Sequence, residues 1–301
     1  MEEKLKAHLY ILLATFLIAG SFLASQKLSG VIDSISLTLY RFVLALVILS
    51  PFIIFQKQRV LNVLKVMPRA MMVSLFYSVY FIGMFKALET TTVLNTGTIY
   101  TLVPLMTAVL CIFFFKDKIS FNQLIVYFLG ILSTCIVVFQ ADINLFLTFS
   151  LNKGDIIFVI ASLSMALYPI FLKLLYRKED ELLVLVFATL LGGIIWMSLT
   201  MQILGISYEW EKVEGNLLYS MIYLVIGTTI LTLFLYQKSS FVLGPKKLMA
   251  YVYLSPAIVA MIMYVFEGQT ISFGVFIGIL ISVLATIIIL RENDNNIKEI
   301  K

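Results

Sequence analysis

Residues 101–121, "TLVPLMTAVLCIFFFKDKISF", align without a gap on residues 253–273, "YLSPAIVAMIMYVFEGQTISF", at an offset of 152. Identities fall at Leu102/Leu254, Pro104/Pro256, Ala108/Ala260, Phe114/Phe266 and the run Ile119-Ser120-Phe121/Ile271-Ser272-Phe273. Two apolar helices look alike easily. A shared proline followed at fixed distance by the same turn and Ile-Ser-Phe run is much harder to reach by chance, so the pattern reads as an internal duplication.

The surroundings of both segments are a membrane protein's. Of 301 residues, 61% are hydrophobic and 13% charged, and mean hydropathy is +1.03, more apolar surface than one soluble core can hide. Apolar stretches of spanning length recur at about 8–26, 35–55, 70–88, 95–115, 121–140, 155–175, 182–204, 217–237, 248–266 and 272–290. The fold expected is therefore all-α, with ten transmembrane helices. The duplicated segments cover the fourth and fifth spans and the ninth and tenth, which puts five spans in each half. An odd number forces the halves to cross in opposite directions, as two inverted five-helix repeats over 1–145 and 150–291, followed by a polar tail at 292–301. Inverted repeats around a midplane site are typical of secondary transporters.

Net charge is +5, and its distribution decides what it means. With the N-terminus in the cytoplasm, Lys4, Lys6, Lys57, Arg59, Lys65, Arg69, Lys116, Lys118, Lys173, Arg177, Lys178, Lys238, Lys246, Lys247, Arg291, Lys298 and Lys301 gather on that side. Lys27, Lys86, Lys153 and Lys212 fall opposite, and Arg41 lies within a span. This is the positive-inside pattern; it places both termini in the cytoplasm and removes nucleic acid as the reason for the basic charge. The first apolar segment follows Lys4 and Lys6 as a cleaved leader's would, but without it nine spans would remain and the charge pattern would fail. Cys111 and Cys135 read as core residues and His8 as interfacial; no metal site is expected.

Further motifs make the likeness specific. "LYRFVLALVILSP" at 39–51, "LVPLMTAVL" with "FFKDKIS" at 102–120, and "GDIIFVIASLSMALYPIFLKL" at 154–174 resemble the drug/metabolite transporter superfamily, in its ten-helix EamA-type branch, over nearly the whole chain. The resemblance implies two inverted five-helix repeats, a central cavity, and transport, often export, of amino acids or other small metabolites. Where that family usually carries a glutamate after the proline-bearing helix, this chain has Asp117 in the first half and Gln269 in the second. The second change removes a charge and puts any role of that carboxylate in doubt.

Arg41 is the outlying residue. A mid-bilayer charge costs about 2.5–3.5 kcal/mol on insertion scales, and each Leu, Ile, Phe or Val returns about 0.3–0.6. Positions 35–55 hold fourteen of those residues, so the span inserts regardless. Counted from Asp33, Arg41 lies only about 12 Å along its helix, which favours a guanidinium that snorkels to the interface or packs on backbone carbonyls. The alternative is a cavity-facing charge that attracts a carboxylate. Pro104, Pro169 and Pro256 fall inside predicted spans, where proline frees the carbonyl four residues earlier, and are expected hinges.

Polar stripes at helical spacing mark faces turned from lipid. They are Tyr77 and Tyr80; Asn95, Thr98 and Thr101; Ser164 and Tyr168; Thr228, Thr232 and Tyr236; and Tyr251 and Ser255, with Ser21 beside them. Together with Arg41 these are the expected substrate contacts. Glu89, Asp117, Asp155 and Glu267 all sit at predicted span ends, so the buried carboxylate of a proton-coupled pump is missing. No phosphate loop, zinc motif or activated nucleophile is present, and neither a cofactor nor an enzyme activity is expected. The reading is a secondary transporter, an exporter as the resemblance implies, of a small polar metabolite such as an amino acid or derivative, in the cell's inner (cytoplasmic) membrane. Its partners are the substrate, the bilayer and, left open, a second copy in a homodimer. An S-adenosylmethionine or nucleotide-like solute, stacking on the tyrosines, is a variant. A receptor or scaffold that no longer transports is the alternative of another class.

Overall fold

The structure is a computed structural model that describes residues 2–148, 151–177, 179–268 and 270–291. Lys178, Gln269, Lys298, Lys301 and the tail at 292–301 lie outside the described residues. The chain forms α1 (Glu2–Leu28), α2 (Ser34–Ile54), α3 (Lys57–Leu88), α4 (Val93–Tyr100), α5 (Val103–Phe115), α6 (Phe121–Val138), α7 (Ile143–Leu147), α8 (Lys153–Leu175), α9 (Leu182–Leu204), α10 (Asn216–Val225), α11 (Thr232–Ala250), α12 (Ser255–Glu267) and α13 (Phe273–Arg291).

Helix starts follow local chemistry. Asp33 accepts from the Ile35 and Ser36 amides, Thr92 from that of Asn95, and Ser120 and Asn152 form reciprocal capping boxes with Gln123 and Asp155. Phe113, Phe128, Leu132, Ile203 and Leu284 project outward, a distribution that only a hydrocarbon surround makes favourable.

Among the described residues nine helical stretches are long and apolar enough to span a membrane, one of them the 50-residue run 216–265. The sequence divides that run into its eighth and ninth spans, 217–237 and 248–266, and between them the helix breaks at Gly244, whose φ of 75° and ψ of 167° precede Pro245. The third span is also longer than its apolar core. α3 begins at Lys57, so Lys57, Arg59, Lys65 and Arg69 stand on helix and not in a loop.

The duplicated segments adopt the same backbone. α5 and α12 are 13 residues each and start 152 residues apart, at Val103 and Ser255. Both end on a left-handed residue, Lys116 and Gly268, whose amide returns to the carbonyl of Cys111 and Met263 respectively. Both follow a break: residues 101–102 form a turn, and Tyr251–Leu254 a 3-10 turn. Pro104 and Pro256 therefore open helices, where a missing N–H costs nothing, instead of kinking continuous ones as the span reading has it. Pro169 does lie inside α8.

α3 packs along α8 and α9, α1 along α11, α2 along α9, and α6 along α13. The main core runs through the first of these elements, and a smaller one around Tyr127 and Tyr253 joins α6 to α13. Ion pairs tie residues of the first half to the second: Arg69 to Asp180, Arg59 to Glu181 and Lys246 to Asp117.

Candidate functional site

Arg41 is fully buried. The snorkelling orientation is thus corrected: the side chain turns into the bundle, because the facing helix supplies what water would have. Residues Ile226–Leu231 form a π-turn between α10 and α11. That wider turn carries one extra residue and brings two successive threonines to the guanidinium. Arg41 Nη2 donates to the Thr228 carbonyl at 2.7 Å and to Thr228 Oγ1 at 2.8 Å, and Nε donates to Thr229 Oγ1. The threonine hydroxyls are held in turn, donating to the Leu224 carbonyl at 3.1 and 2.8 Å. Thr232 Oγ1 donates to the Thr228 carbonyl at 2.8 Å.

The other face of the guanidinium is aromatic. Its Cζ lies 4.2 Å from the centroid of Phe81, a cation–π contact that partly offsets desolvation. Phe81 touches Tyr77 at 4.7 Å and Tyr80 at 5.0 Å, and Tyr77 touches Tyr168 at 5.1 Å between centroids. No ion pair among the described residues includes Arg41, and its Nη1 is buried without a hydrogen-bond partner in the protein.

Arg41 borders a central cavity of about 20 Å³, roughly the room of one water. Of the residues expected from the sequence, Arg41, Ser21, Tyr77, Tyr80, Tyr168, Thr228, Thr232 and Tyr236 come together on its wall. Asn95, Thr98, Thr101, Ser164, Tyr251 and Ser255 do not line it. Asn95 instead donates to Asp155 at 3.0 Å, beside Thr91; Thr101 donates to the Thr98 carbonyl at 2.6 Å. Tyr251 meets His8 Nδ1 at 2.8 Å, and Ser255 lines a second cavity of about 490 Å³.

Phe81 and Thr229 are not anticipated by the sequence, and Tyr100 and Met165 enter its reading only as the residues whose carbonyls Pro104 and Pro169 free. Tyr100 takes the place of the Asn95/Thr98/Thr101 stripe because α4 ends at that residue and the turn carries Thr101 away. Thr229 is off the i+4 stripe, and the extra residue of the π-turn swings it in. A Thr-Thr pair opposite an intramembrane arginine is the signal that could have found it.

The profile of the EamA-like transporter family matches residues 5–139 and again 152–291. The chain belongs to the EamA-like transporter family. It is accordingly a multi-pass membrane protein of a transporter family, and its two matched halves are the duplication seen around Pro104 and Pro256. No curated protein matches. A solved crystal structure superposes with a TM-score of 0.67 over 96% of this chain and 97% of its own, at 17% identity. At that identity the likeness concerns the EamA fold alone.

Proposed function

We propose that this EamA-family chain is a secondary transporter that exports a small polar metabolite carrying a carboxylate, such as an amino acid or derivative. The halves 1–145 and 150–291 act as inverted five-helix repeats that expose the central cavity alternately to each side of the inner membrane, with both termini cytoplasmic. Pro104, Pro169 and Pro256 serve as hinges.

One observation carries the reading: Arg41, buried, without a carboxylate partner among the described residues, with Nη1 free beside a tyrosine- and threonine-lined cavity. A buried cation held only by neutral groups costs several kcal/mol of desolvation that its hydrogen bonds return in part. A scaffold has no use for that cost, whereas an anion-binding site does. The carboxylate would take Nη1, and the tyrosine hydroxyls would take the remaining polar groups. A purely cationic solute is disfavoured by the same charge.

Thermal stabilisation of the purified protein across a metabolite panel tests this, with wild type and Arg41→Gln side by side. Carboxylates should stabilise wild type, and the folded variant should lose the response. Stabilisation by no member of the panel, together with no protein-dependent flux from loaded proteoliposomes, would count against transport.

A further inference from the structure

The central cavity as it stands admits about one water, so a solute reaches Arg41 only if some wall moves. Most of the wall stands on long, packed elements: Tyr77, Tyr80 and Phe81 on the 32-residue α3, Met165 and Tyr168 on the 23-residue α8, and Thr232 and Tyr236 on α11. Tyr100 differs. It is the last residue of α4, a helix of 8 residues, and a turn and the N–H-less Pro104 follow it.

Tyr100 also has somewhere to go. It belongs to the wall of the central cavity and, on its other side, to the wall of the 490 Å³ cavity formed by the end of α1, α4, the end of α6, α12 and the start of α13. Gly97, one turn back on α4, faces the same larger cavity, and a side chain added there would meet nothing within 4 Å. The 152-residue counterpart of Tyr100 is Val252, which lines that cavity too and lies in the 3-10 turn before Pro256. Both helix breaks thus meet at one space. Tyr100 is held in place by lateral aromatic contact, with Tyr80 at 5.9 Å and Phe158 at 6.4 Å between centroids, and by its hydroxyl, which engages those of Tyr80 and Tyr236.

We infer that Tyr100 is the partition between the two cavities: its displacement into the larger one opens the way to Arg41, and its bulk decides how large a solute enters. Val252, shorter and apolar, leaves the opposite wall of the passage wide, so the gating falls on one half of the duplication. Under the positive-inside orientation the larger cavity lies at the outer end of the bundle, beside Gln26 and Gln140, and Tyr100 controls the outer route. The inference rests on the reading of the Arg41 cavity as the solute site.

The test is the rate at which a small, charged methanethiosulfonate labels a cysteine placed at Ser21, on the central cavity, in a chain whose Cys111 and Cys135 have been replaced by serine. Tyr100→Ala should raise that rate about tenfold or more by shifting the open population, while Tyr100→Phe, which keeps the ring and loses only the hydroxyl, raises it far less. Gly97→Phe, which fills the space Tyr100 needs, should lower it, and serves if the alanine variant does not fold. Equal rates in the parent, Tyr100→Ala and Gly97→Phe proteins would overturn the partition. Labelling needs no solute, so the two readings separate. Rates that follow Tyr100 with no carboxylate bound keep the partition and sink the carboxylate reading of the Arg41 site; carboxylate binding with rates indifferent to Tyr100 does the reverse.

Discussion

Asp117, just past the end of α5, holds Lys246 of α11 with an Oδ2 to Nζ distance of 2.7 Å, and so clips the first half of the chain to the second. At the offset of 152 the counterparts of these residues are Gln269 and Leu94. Neither carries a charge, so the duplicated halves do not repeat the clip.

Asp117→Lys should therefore destabilise the protein by about 1 kcal/mol, near the upper end for pairs with some solvent exposure, because two ammonium groups then face each other. The exchange Asp117→Lys with Lys246→Asp should recover most of the loss. Thermal midpoints of the two single variants and the double variant, read as a cycle, check this; a double variant no better than the sum of the singles would show that the contact is incidental.

The packing of α3 on α8 rests on an absent side chain. A Cβ at Gly83 would lie 2.6 Å from that of Ala161, inside any tolerable contact, so the two helices are this close because Gly83 has none. In a bilayer, where lipid tails are as apolar as leucine, such close approach of small residues is what holds helices together. Gly83→Ala should destabilise by roughly 1–3 kcal/mol through overpacking, and Ala161→Gly on top of it should return most of that. Gly83→Leu, which the partner cannot accommodate, should fail to give a monodisperse protein on size exclusion. Retention of the parent stability by Gly83→Ala would mean that the helices part without cost.

Much of the cavity wall is legible in the sequence. Tyr77 and Tyr80, Tyr168, and Thr228, Thr232 and Tyr236 were readable because polar side chains avoid lipid, and helical spacing then gathers them on one inward face. What was not readable depends on departures from helical regularity. Asn95, Thr98 and Thr101 keep a three-residue step, but α4 stops at Tyr100 and Asn95 is taken by Asp155. The 216–265 run divides into two spans because polar residues near Lys246 and Lys247 interrupt its hydropathy, and the backbone breaks close by at Gly244; the π-turn inside the first of them is what no pattern announces. Of the two orientations the sequence favours for Arg41, packing on a backbone carbonyl is met at Thr228 and snorkelling is not, for a related reason. Its depth along α2 is computable from the sequence, but the partner that draws it inward is a π-turn, whose extra residue no periodicity announces.

That π-turn makes Thr229 the most direct probe of how Arg41 is aimed. Its hydroxyl accepts from Arg41 Nε and donates to the Leu224 carbonyl, while Thr228 keeps Nη2 through two further bonds. Thr229→Val preserves shape and removes the hydroxyl, leaving Nε without its acceptor at a fully buried site. The expected loss of stability is about 1–3 kcal/mol. Nη1, now less well oriented, should bind carboxylates more weakly by about tenfold, a 1.4 kcal/mol effect, whereas Thr229→Ser should keep both properties. Ligand-induced shifts in thermal midpoint for the three proteins separate the alternatives. Loss of stability with undiminished carboxylate response in Thr229→Val would show that Thr228 alone orients the guanidinium and that the second threonine serves packing.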